Sequence, residues 1–129
     1  MNSQMPATIL VVDDSAEFRM LLIDELLIEG YTVFEAESKN GALKLIAEKH
    51  VDLIVTDVQM PGGDGLELLR EINASQSSAP PVIVMSGFSN YTEEEIMAHG
   101  AAAFIAKPFN LNRFIEVVQV TFNGGRASF

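Results

Sequence analysis

The chain contains no cysteine, which excludes a disulfide framework and any thiolate metal site and leaves carboxylates as the natural ligands for an ion. It is also poor in positive charge: eight Lys and Arg stand against 18 Asp and Glu, for a formal charge of −10. A chain so acidic repels nucleic acid and anionic lipid over a Debye length of about 8 Å at physiological salt, so neither direct nucleic-acid binding nor membrane attachment is expected. The few basic residues, Arg19, Lys39, Lys44, Lys49, Arg70, Lys107, Arg113 and Arg126, are scattered rather than gathered in one stripe. No apolar run is long enough to cross a bilayer. Met1 to Ala7 lack the basic start and apolar stretch of a secretory signal, so a cytoplasmic location is expected. A glycine-rich phosphate loop ending in Gly-Lys-Ser or Gly-Lys-Thr is missing too, which argues against ATP as a donor.

What remains is a rhythm. At 129 residues the chain suits one domain, and short apolar runs alternate with segments of helical period five times over, the signature of an α/β fold. Strands are predicted at Thr8–Val12, Tyr31–Glu35, Leu53–Thr56, Val82–Met85 and Ala103–Ile105. Most are continuously apolar, as strands covered on both faces are, so the sheet is expected to be parallel. A helix over Glu17–Glu29 turns Phe18, Leu21, Leu22 and Leu26 inward and stops at Gly30. Ser38 caps a second helix to about Lys49, and Leu66–Ile72 makes a third. Thr92 and Glu95 form a capping box for a fourth that Gly100 ends, and Asn110 or Asn112 caps a last helix through Phe122. Ala74–Pro81 reads as a surface loop rather than a linker. The expected organisation is a tail over 1–6, a folded domain over 7–122, and a tail or linker start over 123–129.

In an open parallel sheet, ligands sit at the carboxyl ends of the strands. The first predicted strand ends in Asp13-Asp14, the third in Asp57, the fourth in Ser86 and the fifth in Lys107. Taken singly, each has an ordinary explanation: the Asp pair as helix caps, Asp57 as a turn former before Pro61-Gly62, Ser86 as part of a loop and Lys107 as a solvated charge. Together they place three carboxylates at one edge, which repel one another unless something positive lies among them. Lys107 is one such charge. Clustered acidic oxygens without sulfur or imidazole are also the ligand set of a hard divalent cation such as Mg²⁺, which keeps open positions for phosphate oxygens.

The motifs Leu10-Val-Val-Asp13-Asp14, Thr56-Asp57-Val58-Gln59-Met60-Pro61-Gly62-Gly63-Asp64-Gly65, Met85-Ser86-Gly87 and Ala103-Phe104-Ile105-Ala106-Lys107-Pro108-Phe109 occur in that order. With this spacing the chain resembles the receiver domain of two-component response regulators, from about Ala7 to Phe122. The resemblance implies a doubly wound (βα)5, flavodoxin-like domain with strand order 2-1-3-4-5. It also implies roles: Asp57 as the phosphorylated residue, and Mg²⁺ held by Asp14, by Asp13 largely through water, by Asp57 and by the backbone carbonyl of Gln59. Lys107 would pair with a phosphoryl oxygen, Ser86 would move to bond the phosphoryl group, and Phe104 would turn inward in response. The donor would be a sensor histidine kinase or a histidine phosphotransfer protein, and the output a protein partner or attached output domain meeting the fourth-to-fifth unit face. Dimerisation through that face is left open.

The resemblance further implies a cis Lys107–Pro108 bond, although X-Pro bonds in general favour trans, and a turn at Met60 to Gly63 whose end, Gly65, relieves a positive φ. Ser86 replaces the commoner Thr, and Phe104 lacks a phenol. The bulk of Phe88, together with Gln59, would flank an attacking water and lengthen the phosphorylated lifetime. His50 and His99 fall at helix ends, where surface roles are expected. Two rival readings fit the residues less well. An aspartate-nucleophile phosphatase needs a second acid two residues past the nucleophile, where Gln59 stands. A receiver module signalling by partner binding without phosphorylation is disfavoured by the intact set Asp13, Asp14, Asp57, Ser86 and Lys107.

Overall fold

In the computed structural model, which describes residues 6–60, 64–75, 79–87 and 91–124, five strands alternate with five helices. They run β1 (Thr8–Val12), α1 (Ala16–Ile28), β2 (Thr32–Ala36), α2 (Lys39–Glu48), β3 (Leu53–Asp57), α3 (Gly65–Ser75), β4 (Val82–Ser86), α4 (Glu93–Ala98), β5 (Ala103–Ala106) and α5 (Leu111–Phe122). The strands form one parallel sheet in the order β2-β1-β3-β4-β5, as the resemblance implies. The chain first steps outward from β1 to β2, then returns past β1 to β3 and proceeds the other way. The reversal leaves a crevice at the carboxyl ends of β1 and β3, where the first two connections diverge.

Alternation of side chains along each strand divides the core in two. Leu10, Val12, Ile54, Val82 and Val84 face one side, packed by Ala42 of α2, Leu68, Leu69 and Ile72 of α3 and Ile96 of α4. Ile9, Val11, Leu53, Val55, Ile83 and Met85 face the other, packed by Leu22 and Leu26 of α1 and Phe114, Val117 and Val118 of α5. Coverage on both faces is why the strand sequences are apolar without interruption. The helix ends follow their sequence signals: Ser15, Ser38, Thr92 and Asn110 each accept a backbone N–H at a helix start, with the full capping box at Thr92 and Glu95. Gly30 and Gly100 carry the positive φ of helix stops, at 95° and 100°.

Some expectations change. Leu21 was expected inward, yet it is 55% exposed, along with Met20, Leu27 and Ile28. α1 has more apolar residues than one stripe can hold, and Phe18, Leu22 and Leu26, spaced by four, take the stripe that faces the sheet. β2 begins and ends one residue later than expected, α3 starts one residue earlier and ends three residues later, and Asp57 and Ser86 are the last residues of their strands rather than the first beyond them. The turn through Pro61 to Gly63, the proposed role of Phe88 and parts of the 74–81 loop lie outside the described residues. Among the described residues, no helix is long and apolar enough to cross a membrane.

Candidate functional site

Strand register brings the polar residues together. Val12 pairs with Thr56, so the residues that follow, Asp13 and Asp57, emerge side by side. Asp57 pairs with Met85 and Ser86 with Ala106, which places Ser86 and then Lys107 one step further along the same edge. Carboxylate oxygens of Asp13, Asp14 and Asp57 lie within 4.8 Å of one another. The Lys107 ammonium stands 3.6 Å from Asp13 Oδ2 and 3.5 Å from Asp57 Oδ1. Lys107 is fixed from behind by its own N–H, which donates to the Ser86 carbonyl at 2.9 Å, and the Lys107–Pro108 bond is cis.

Asp13 is the most constrained member. It is 1% exposed, its N–H donates to the Ala36 carbonyl at 3.1 Å, and its own carbonyl accepts from Arg19 Nη1 at 2.6 Å. Its Oδ1 accepts the N–H of Ser15 at 2.8 Å. That leaves Oδ2, buried and without a hydrogen-bond partner, directed at the cluster. A buried carboxylate oxygen left unsatisfied costs about 1–3 kcal/mol, more for a charged group, and the Lys107 ammonium at 3.6 Å is too distant to donate a proper hydrogen bond. A hard cation among the three acids would satisfy that oxygen, so the donor set fits a divalent ion of the Mg²⁺ type.

Asp57 has the chemistry of a partly shielded acceptor. Burial pushes its carboxyl above the usual carboxylate range and the Asp13 charge adds to this, while the Lys107 charge and the Val58 N–H pull the other way. A carboxyl raised in the fold binds its proton more tightly there than in the unfolded chain, so its ionisation costs stability as pH rises through the raised value. Asp57→Asn removes that cost. Without divalent ions at pH 7, the variant is expected to melt a few degrees above wild type. The gap should narrow as pH falls and close below about 3.9, where the carboxyl is protonated in the unfolded chain as well as in the fold. Melting curves in chelator at several pH values check this, and a variant less stable than wild type at pH 7 would contradict it.

Gly65 matters for a reason other than the one expected. Its φ is not positive. Instead, its N–H donates to the Val58 carbonyl at 2.7 Å, and a Cβ built on it would stand 2.1 Å from the Asp57 carbonyl oxygen. The start of α3 is pressed against the backbone that carries Asp57.

Ser86 is buried at 6% exposure. Phe104, paired with Val84 across the sheet, is half-buried and packs on the α2–α3–α4 side of the core. Gln59 is exposed two residues beyond Asp57. His50 and His99 are exposed and far from the cluster: His50 Nε2 lies 2.7 Å from Asp52 Oδ1, at the opposite end of β3 from Asp57, and the His99 carbonyl accepts from Asn73. Sequence reasoning missed Arg19, which bridges the Asp13 carbonyl and Glu35. Its signal was available, since a cation in the first turn of a helix opposes the dipole and calls for another partner. Missed too was Tyr91, whose hydroxyl donates to Asp64 Oδ2 at 3.0 Å. Phe18, read only as core, lies under the Lys107 ammonium.

Comparison with known proteins follows the same pattern. Residues 9–119 match the family described as the response regulator receiver domain. The chemotaxis protein CheY of Bacillus subtilis is 36% identical over 122 residues, covering 92% of this chain and 100% of that protein. The regulatory protein AtoC of Escherichia coli is 33% identical over 112 residues, 86% of this chain but 24% of that protein, so the chain spans about a quarter of that relative's length. The response regulator protein TrrA of Thermotoga maritima, crystallised with Mg²⁺ and BeF, superposes with a TM-score of 0.79 at 34% identity over 88% of this chain and 96% of that one.

Proposed function

The chain belongs to the response regulator receiver family, and on that premise we propose that Asp57 accepts a phosphoryl group from the phosphohistidine of a sensor histidine kinase or a histidine phosphotransfer protein. Receiver domains are phospho-acceptor signalling domains rather than turnover enzymes, and they work with histidine kinases, phosphotransfer proteins and output domains. The observation that carries the proposal for this chain is the buried, unpartnered Asp13 Oδ2 facing Asp14, Asp57 and Lys107. Such an oxygen, among two further carboxylates, is suited to an arriving cation.

Asp13, Asp14 and Asp57 would hold Mg²⁺, with the Gln59 backbone carbonyl completing the protein's ligands. When bound, the ion neutralises charge on the transferring group and fixes its line of approach. A carboxylate oxygen of Asp57 attacks phosphorus; the P–N bond of the phosphohistidine breaks, its electron pair returns to the imidazole, and an acyl phosphate forms on Asp57. Lys107 meets a phosphoryl oxygen as a compact point charge, a role its separation of 3.5 Å from Asp57 Oδ1 allows with little movement. Hydrolysis at the same site, with water replacing the protein side chain on phosphorus, returns Asp57 to its carboxylate. Residues 7–122 are the proposed folded unit, a reading supported by α5 ending at Phe122, with 1–6 and 123–129 flanking it.

The phosphoryl group, carrying about −1.5 to −2 where the carboxylate carried −1, would draw the Ser86 hydroxyl toward its oxygens, and Phe104 would turn into the space released. The output is then a changed surface around α4, β5 and α5, read by a partner protein, by an output domain or by a second copy. Backbone NMR with acetyl phosphate and Mg²⁺ tests the switch. Amide shifts are expected at the site and also along Ala103–Ala106 and α4. Shifts confined to the neighbours of Asp57 would remove the switch, and no shifts at all would remove the acceptor.

A further inference from the structure

The ammonium of Lys107 has three hydrogens to place. Toward Asp13 Oδ2 and Asp57 Oδ1 the separations are 3.6 and 3.5 Å, both longer than the roughly 2.7–2.9 Å of a seated charge-assisted bond. It also has an aromatic companion: Nζ lies over the ring of Phe18, 4.3 Å from the centroid, well inside the range of about 6 Å at which a ring face attracts a cation. The ring is itself braced. Phe18, in the first turn of α1, meets Phe109 edge-on at 5.8 Å and 70°, and Phe109 stacks on Phe114 at 5.9 Å and 21°. Phe114 is fully buried, so the chain of rings is anchored in the core between the sheet and α5.

The geometry points to Phe18 as a positioning residue for phosphoryl transfer, its ring face holding the Lys107 ammonium over the acid cluster by a cation–π contact. The inference rests on the reading of Asp57 as the phosphoryl acceptor. Lysine carries its charge on a flexible stem and would otherwise sample solvent at the open side of the crevice. An aromatic face supplies attraction without donating or accepting a strong hydrogen bond, so it keeps the ammonium near both carboxylates and free to turn to a phosphoryl oxygen. A carboxylate in the same place would hold the cation more firmly but add a fourth negative charge to the cluster. An aliphatic side chain would fill the space without attracting the charge, and this difference separates positioning from packing.

The test compares Phe18→Leu and Phe18→Tyr with wild type in phosphorylation by acetyl phosphate with Mg²⁺, and repeats the Leu change in a Lys107→Gln background. Phe18→Leu is expected to slow the reaction about 3–10-fold, Phe18→Tyr to stay within about 2-fold of wild type, and Phe18→Leu to have little further effect once the ammonium is gone. A second measurement needs neither metal nor phosphate: side-chain NMR of wild type should find the Lys107 methylene protons shifted upfield by the ring current, and Phe18→Leu should return them to ordinary positions. Equal slowing by Phe18→Leu in both backgrounds would make Phe18 a packing residue and overturn the inference, as would unshifted Lys107 protons in wild type. If wild type itself gains no phosphoryl group, the acceptor reading fails and the inference with it; a phosphorylated wild type with a Phe18→Leu that reacts at the wild-type rate removes the inference alone.

Discussion

Lys107→Gln is expected to slow phosphorylation of Asp57 by acetyl phosphate about 100-fold, the order of loss seen when one preorganised donor to developing charge is removed. Lys107 is the basic residue that the structure sets against both Asp13 and Asp57, at 3.6 and 3.5 Å. Glutamine keeps much of the length and can still donate, but it brings no charge to balance the transferring oxygens. The same change strips the acid cluster of its protein counter-charge. In metal-free protein the melting temperature should therefore fall, and added Mg²⁺ should raise it by more than it raises that of wild type. Lys107→Arg is not expected to restore the rate, because a guanidinium is longer than an ammonium and spreads its charge over a planar fork that would pair with the two carboxylates instead of turning to a phosphoryl oxygen. Pseudo-first-order rates at saturating Mg²⁺ decide the matter. A Lys107→Gln rate within about 3-fold of wild type would mean that the ammonium takes no part in the transfer.

Gly65→Ala is expected to destabilise the fold by about 2–4 kcal/mol, a fall in melting temperature of roughly 10 °C, and to weaken phosphorylation at the same time. The cause is local. The new Cβ would stand 2.1 Å from the Asp57 carbonyl oxygen and 3.1 Å from the Val58 Cα, and both neighbours are backbone, unable to swing aside. Val58 is tied to Met85 by one hydrogen bond and to Gly65 by another, at 3.0 and 2.7 Å. Relief requires moving either the start of α3 or the end of β3, and the end of β3 is Asp57. Coupled loss of stability and of acceptor function distinguishes this from a remote helix defect. Thermal melts and acetyl phosphate rates on the same preparation check it, and a variant that melts within about 2 °C of wild type would show that the backbone there yields freely.

Much of the fold was legible because local and global signals agree in this chain. The strands are apolar where both faces are covered, and Ser38, Thr92 with Glu95, and Asn110 mark helix starts that the structure keeps. Leu21 was misjudged because α1 is apolar on several sides, so periodicity alone does not choose the stripe; packing of Leu22 and Leu26 against the sheet does. The acids and Lys107 were legible as a group because each follows a strand that had to be parallel. Their mutual geometry was not, since it depends on register: Val12 opposite Thr56 sets Asp13 beside Asp57, and no local pattern encodes that pairing. Gly65 was singled out for backbone freedom, yet what it supplies is room for the Asp57 carbonyl. The contact between Phe18 and Lys107 joins the first helix to the last strand's end, and residue types in sequence carry no trace of a partner so distant.

The central claim is that three carboxylates, with one buried oxygen unsatisfied, form a cation-dependent site whose nucleophile is Asp57. Intact mass spectrometry after incubation with acetyl phosphate tests it most directly, on wild type and Asp57→Asn, each with Mg²⁺ and with chelator. Wild type with Mg²⁺ is expected to gain one phosphoryl group, while the other three samples remain at their starting mass. A phosphoryl group on Asp57→Asn, or equal gain by wild type with and without the metal, would contradict it.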